Sequence, residues 1–201
     1  MNEKNRWDGN YSLLSAISNN NIEIVKLLVK YANQHQIILN LNEKNKYEDY
    51  SLYWAVTNNN IEIVKLLIEY ANQHEIILNL NEKNKRGFYP LYWAVFKNNI
   101  EIIKLLILYA NQHEIILNLN EKNKHGFYPL YWAISNHNIE IVKLLLEYAS
   151  QQQIVLYLNE KNKYENYPLL EAISKNSIEM IKLLLEYASQ HQIILNLNKK
   201  K

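Results

Sequence analysis

The feature that most constrains this chain is a period of 39 residues. The tetrapeptide Asn-Glu-Lys-Asn begins at Asn42, Asn81, Asn120 and Asn159, and a further copy opens at Asn2, 40 residues before Asn42. The unit from Asn81 reads NEKNKRGFYPLYWAVFKNNIEIIKLLILYANQHEIILNL, and its neighbours differ from it at few positions. Such a period marks a stacked-repeat architecture, in which each unit buries its apolar side against the next. It predicts one elongated domain over residues 1–201, with repeats at 2–41, 42–80, 81–119, 120–158 and 159–197.

Bulk properties bound the function. Apolar content is 48%, charged content 21% and net charge +2. That charge is too small to argue for a nucleic-acid or membrane partner. Without cysteine there is no disulfide framework and no thiolate metal site. Stretches such as IEIVKLLIEY carry charges and so fall short of a membrane span. MNEKNRWDGN lacks the pattern of a secretory signal, so the cytoplasm is the expected location.

Within the second unit, NEKNKYEDY is polar and turn-prone and reads as an exposed finger. Gly87 and Gly126 stand at one place in the third and fourth fingers, where a positive φ is expected. Leu52, Ala55 and Val56 then recur at i, i+3, i+4, predicting a short helix over Ser51 to Thr57. Later units begin that helix with Pro90, Pro129 and Pro168, and proline is at home in a first helical turn. Asn58-Asn59-Asn60 ends it and caps a second helix. From Ile61, the residues Ile61, Val64, Leu67, Ile68 and Ala71 form one stripe. Glu62, Lys65 and Glu69 form the opposite face, with Glu–Lys pairs expected at i, i+3. The second helix is expected to run one turn past Ala71 and fray near His74, the chain then running extended; a single helix through Leu80 is the rival.

Tyr89-Pro-Leu-Tyr-Trp-Ala-Val95 followed by Asn98-Asn-Ile-Glu-Ile-Ile-Lys-Leu-Leu106 resembles the ankyrin repeat, whose consensus runs Thr-Pro-Leu-His-x-Ala-Ala and then Gly-His-x-Glu-Ile-Val-Lys-Leu-Leu-Leu. The likeness recurs in every unit. It implies an all-α ankyrin-type helical solenoid, with two antiparallel helices per repeat and extended finger connections. It also implies that Ala16, Ala55, Ala94, Ala133 and Ala172 are the small residues that let neighbouring first helices approach. Tyr11, Tyr50, Tyr89, Tyr128 and Tyr167 stand in place of the family's Thr. Each hydroxyl is therefore expected to reach a backbone group or water. The unit exceeds the family's 33 residues by six. The excess falls on Asn-Gln-His-Glu-Ile-Ile, implying a longer second helix with an added apolar layer from Ile76 and Ile77. The family's buried Ala and Val would fall on Leu78 and Leu80.

Inner units carry Trp54, Trp93 and Trp132, whereas the end units carry Ser15 and Glu171. This reads as polar capping of a nearly complete array, closed by Lys199-Lys200-Lys201. Each enclosed Trp would bury ~150–250 Å², worth about 4–6 kcal/mol before entropy is subtracted.

Candidate chemistry is sparse. His35, His74, His113 and His191 recur one repeat apart, roughly 10 Å at helix-packing distance, too far to share one metal ion at ~2 Å bonds. They read as polar residues ending the second helix, and His137 reads as a surface residue. Catalytic groups occur in singular constellations rather than once per repeat. No phosphate loop or nucleophile elbow is present. The expectation is no enzyme, no cofactor and no metal.

What varies between units is the finger tips and the end of the first helix. The resemblance implies that these line the concave, partner-binding surface. The candidate residues are Arg6, Trp7, Tyr47, Arg86, Phe88, Phe96, Lys97, His125, Phe127 and Tyr164, an aromatic and mildly basic set of the kind found in interface hot spots. The expected function is protein or peptide binding by a monomer. The partner would be an acidic segment with apolar anchors. A nucleic-acid-binding solenoid using Lys46, Lys85, Lys124 and Lys163 is the alternative. Glu43, Glu82, Glu121 and Glu160 weigh against it. A structural spacer is a third reading.

Overall fold

Each repeat folds as two helices joined by three residues whose side chains build the turn. The computed structural model describes residues 9–197. Among these, the first helices of the repeats are α1 (Ser12–Ser18), α3 (Ser51–Thr57), α5 (Pro90–Phe96), α7 (Pro129–Ser135) and α9 (Pro168–Ser174). The second helices are α2 (Ile22–Gln34), α4 (Ile61–Gln73), α6 (Ile100–Gln112), α8 (Ile139–Gln151) and α10 (Ile178–Gln190). The described residues contain no strand.

The Asn triplet divides three tasks. Asn58 closes α3; Asn59 takes the left-handed conformation at φ 57°; Asn60 accepts a hydrogen bond from Ile63 N at 3.0 Å as the N-cap of α4. Asparagine suits both roles because its short amide satisfies backbone groups locally. His137 fills the left-handed position in the fourth unit, at φ 55°, which gives this non-periodic histidine a backbone role. Ser177 replaces the capping Asn in the fifth. Asn60 Nδ2 also donates to Asn20 Oδ1 at 2.8 Å, linking the first and second repeats. Asn60→Ala is therefore expected to lower the unfolding free energy by about 1–2 kcal/mol, and Asn60→Ser by a few tenths. Urea denaturation followed by circular dichroism reads the difference.

The second helix ends where the frayed-helix expectation placed it. Gln73 is its last residue, His74 the C-cap, and Glu75 is left-handed at φ 56°, with Ile76 N returning to Ala71 O at 2.8 Å. The chain then runs without helix through Leu80, so the single-helix rival does not occur. Leu78 and Leu80 are buried as the family's Ala and Val would be, but the expected layer from Ile76 and Ile77 is not formed. Alternation turns Ile77 outward while its neighbours point in, leaving it 53% exposed, and Ile76 is only half-buried.

The chain comprises two compact units that divide between Leu117 and Asn118. In the first, α1, α3 and α5 pack side by side, as do α2, α4 and α6, and each first helix folds back on its own second helix. In the second, α7 packs on α8 and α9, and α10 on α8 and α9. The five small alanines of the first helices lie at or near zero exposure.

Tyrosine braces these stacks. Tyr50 Oη donates to Glu82 O at 2.9 Å, Tyr128 Oη to Tyr157 O at 2.7 Å, and Tyr167 Oη to Asn196 O at 3.0 Å, while Tyr11 Oη lies 3.0 Å from Ser51 Oγ. The hydroxyls of Tyr11 and Tyr50 thus reach the following repeat, as does that of Tyr128 through Glu160 O at 3.2 Å, while Tyr167 bonds within its own. A second series comes from the second helices. Tyr70 Oη accepts from Leu39 N at 3.2 Å and donates to Ile37 O at 3.1 Å, grasping the extended segment of the repeat before it. Tyr109 does the same with Leu78 N and Ile76 O, and Tyr187 with Leu156 N and Ile154 O.

Ion pairs also run between repeats, contrary to the expected i, i+3 pattern. Lys65 pairs with Glu101 at 3.5 Å and Lys143 with Glu179 at 2.8 Å, while Glu23–Lys26, at 3.7 Å, keeps the i, i+3 spacing. Stacking brings the next repeat's glutamate as near as the helix's own.

Candidate functional site

The short first helix has two faces. Leu52, Ala55 and Val56 go into the core, leaving Tyr53, Trp54 and Thr57 on the side next to the finger. The finger itself is closed by one asparagine. Asn45 Oδ1 accepts from Tyr47 N at 2.8 Å and Asp49 N at 3.0 Å, and Asn84, Asn123 and Asn162 repeat this. The residue at the tip is left-handed in every described finger. It is Gly87 (φ 85°) and Gly126 (φ 81°) where expected, but Glu48 (φ 64°) and Glu165 (φ 60°) elsewhere. Adjacent fingers are tied backbone to backbone, Lys85 N to Tyr47 O at 3.1 Å in the first unit and Lys163 N to His125 O at 3.0 Å in the second.

In the first unit this frame gathers four rings. Phe88, from the finger, lies with its centroid 5.1 Å from both Tyr92 and Trp93. Phe96, one turn further along α5, lies parallel to Tyr92 at 6.5 Å and edge-on to Trp93 at 5.1 Å. Lys97 Nζ sits 5.7 Å from the Trp93 ring, within cation–π range. Phe88, Trp93 and Phe96 are each half-exposed, and Arg86 and Lys97 are exposed. Tyr47 stands apart on its own finger, half out of the surface, with Lys46 Nζ 5.1 Å from its ring.

Beneath these rings lie buried polar groups. Trp93 Nε1 donates to Tyr53 Oη at 3.0 Å. Asn84 Nδ2 donates to the buried Asp49 carboxylate at 2.8 Å. Burial raises the pKa of Asp49, opposed by that hydrogen bond and by the Arg86 charge. Arg86 thus also offsets the charge of a buried carboxylate.

The second unit repeats the arrangement with different edges. Phe127 packs against Tyr131 at 5.1 Å, Trp132 at 4.9 Å and Tyr164 at 6.0 Å. Tyr164 and His125 are exposed. Glu171, expected to be a solvent-facing cap, is instead buried and accepts from Tyr131 Oη at 2.8 Å. Burial and the Glu171 carboxylate push the Tyr131 phenol up to about 12.

The structure therefore brings Phe88, Phe96 and Lys97 into one cluster with Arg86 at its finger, and Phe127 and Tyr164 into another. Tyr47 and His125 lie on finger tips. Arg6 and Trp7 fall outside the described residues. Trp54, Trp93 and Trp132 are half-buried rather than enclosed, and Trp93 and Trp132 stand beside Phe88 and Phe127 on the candidate surface. Their place was readable in the sequence, since the Leu52–Ala55–Val56 stripe leaves position 54 on the opposite side.

The histidine series has a structural occupation. His74 lies 4.2 Å from the Tyr70 ring, with Nε2 2.9 Å from Asn33 Oδ1; His113 repeats this with Tyr109 and Asn72. No group of three or more metal-ligating side chains occurs among the described residues. Nor is any helix there long and apolar enough to cross a membrane.

No curated protein matches this chain. The family model described as ankyrin repeats matches in three overlapping copies, at residues 1–79, 71–154 and 112–196, each spanning about two of the 39-residue units. With paired helices repeated along both units, this places the chain in the ankyrin-repeat family.

Proposed function

We propose that this chain is a non-catalytic binding module that holds another protein or peptide on its finger and first-helix surface. Ankyrin repeats generally mediate protein–protein interaction. The observation that carries the finer reading is the half-exposed cluster of Phe88, Trp93 and Phe96, packed around the buried Tyr92, with Lys97 on its rim and Arg86 on the adjoining finger. Aromatic anchors beside arginine dominate binding energy where they occur. The cations favour a ligand segment carrying carboxylates between its apolar side chains. Tyr47 in the first unit, and His125, Phe127 and Tyr164 in the second, supply further contacts on the same kind of surface. Arg6 and Trp7 extend the set by sequence.

The test is a double substitution, Phe96→Ala with Arg86→Ala. The helical circular-dichroism signal is expected to stay intact. Affinity for a partner captured by the wild-type chain, then identified and titrated as a purified segment, should fall by about 10- to 100-fold, the range of one or two hot-spot residues. An unchanged affinity removes this surface from the function.

A further inference from the structure

The same side chain has different fates in different repeats. At one position of the second helix, Ile63, Ile102, Ile141 and Met180 are all 0% exposed, but Ile24 in the first repeat is 45% exposed. Tyr70, Tyr109, Tyr148 and Tyr187 are exposed by 3% or less, whereas Tyr31 is 49% exposed. The reverse holds in the fifth repeat. Ile17, Val56, Val95 and Ile134 are all 0% exposed, but Ile173 is 53% exposed. Repeat one therefore presents the face with which later repeats receive a preceding neighbour. Repeat five presents the face with which earlier repeats receive a following one.

These two faces carry matching polar groups as well. Inside the chain, a repeat's Tyr grasps the carbonyl and N–H of the segment before it, as Tyr70 does with Ile37 O and Leu39 N. The corresponding groups in the fifth repeat are Ile193 O and Leu195 N, and the corresponding hydroxyl in the first is that of Tyr31. Asn58 Nδ2 donates to Ile17 O at 2.7 Å; the equivalent pair is Asn19 and Ile173. Lys65 meets Glu101 and Lys143 meets Glu179; the equivalent pair between the end faces is Lys182 and Glu23. Apolar surface, hydrogen bonds and charge are thus complementary between one end face and the other.

We propose that the chain self-associates head to tail, the first repeat of one copy packing on the fifth repeat of another as a sixth repeat would. This departs from the monomer expected from sequence. Polar residues at Ser15 and Glu171 do not cap the ends, since Glu171 is buried and Ile24, Tyr31 and Ile173 stay uncovered. The contact is heterologous, so every copy keeps one free face of each kind and association continues to rings or open chains. The inference does not rest on the finger-surface reading.

Sedimentation velocity of the 201-residue chain over about two decades of concentration tests it, because mass action makes association concentration-dependent. The average mass of the wild-type chain should rise with concentration. Ile24→Glu spoils only the head and Ile173→Glu only the tail. Both side chains are already exposed, so each variant should keep the wild-type circular-dichroism spectrum and remain monomeric. An equimolar mixture has one intact head and one intact tail, and should give a one-to-one dimer and nothing larger. Tyr31→Ala and Leu185→Glu serve as a second pair, Leu185 being 46% exposed where its counterpart Leu146 is 7% exposed. A wild-type chain that stays monomeric throughout overturns the proposal. So does self-association of either single variant at the wild-type level, or a mixture that stays monomeric.

Discussion

Replacing Tyr109 by alanine is expected to cost about 3–5 kcal/mol of unfolding free energy, the range for truncating a large buried aromatic. The same substitution at Tyr31, its counterpart two repeats earlier, is expected to cost under ~1 kcal/mol in the dilute monomer. Tyr109 is 1% exposed, and its hydroxyl accepts from Leu78 N at 3.1 Å while donating to Ile76 O at 3.0 Å. Truncation leaves a cavity between repeats and strands two backbone groups that the helix end has already released. Tyr31 is 49% exposed. Tyr109→Phe separates the two contributions. It keeps the ring and leaves Leu78 N and Ile76 O without a partner, at about 1–3 kcal/mol. Urea unfolding of the three variants, followed at low concentration by circular dichroism, gives the ordering Tyr109→Ala, Tyr109→Phe, Tyr31→Ala. Equal losses at Tyr31 and Tyr109 would mean that the inter-repeat grip contributes nothing.

The helices were legible because their signals are local. Proline at 90, 129 and 168 marks a first turn, and three polar residues at 58–60 suffice to end one helix and start another. The replacement of the family's threonine by Tyr50 and its equivalents was also legible as a demand for a backbone partner, and Glu82 O supplies one. What the sequence did not disclose depends on the neighbouring repeat. Tyr70, Tyr109 and Tyr187 sit on the helix like any apolar residue. Their role appears only once the helix stops at Gln34, Gln73 or Gln151 and leaves a carbonyl and an N–H facing the next repeat.

The same limit explains the misread residues. Ile77 belongs to a run of apolar residues, and hydrophobicity alone assigns it to the core. The extended backbone turns it out instead and leaves Leu78 and Leu80 inside. Glu171 was read as a cap because a carboxylate suits solvent, yet the Tyr131 hydroxyl sits within hydrogen-bonding distance and holds it in the interior. The candidate surface was legible as variable positions on fingers and first helices. That Phe88 and Phe96 would meet on either side of Trp93 was not, since the meeting depends on the finger's left-handed turn at Gly87.

Alkaline pH should unfold this protein well before it would unfold one with exposed tyrosines. Unfolded, a tyrosine ionises near pH 10. In the fold, burial pushes Tyr11 up to about 12, with Glu43 adding to the effect and the Ser51 hydrogen bond opposing it. Burial moves Tyr50, Tyr53, Tyr109, Tyr128 and Tyr187 in the same direction. A phenol held neutral in the fold but free to ionise in the unfolded chain makes the unfolded state the poorer proton binder above pH 10. Stability therefore falls as pH rises. The contribution of Tyr11 is fully present below pH 10 and is lost between pH 10 and about 12. A buried group such as Tyr11 accounts for a loss on the order of 3 kcal/mol across that window. Urea midpoints measured from pH 8 to pH 12 should be flat below pH 9 and then fall, with tyrosinate absorbance rising together with loss of helix. Tyr11→Phe should shrink the alkaline fall while costing about 1 kcal/mol at neutral pH, where Ser51 loses its partner. If tyrosinate absorbance instead developed fully near pH 10 with the helical signal unchanged, the hydroxyls would not be held in the interior as described.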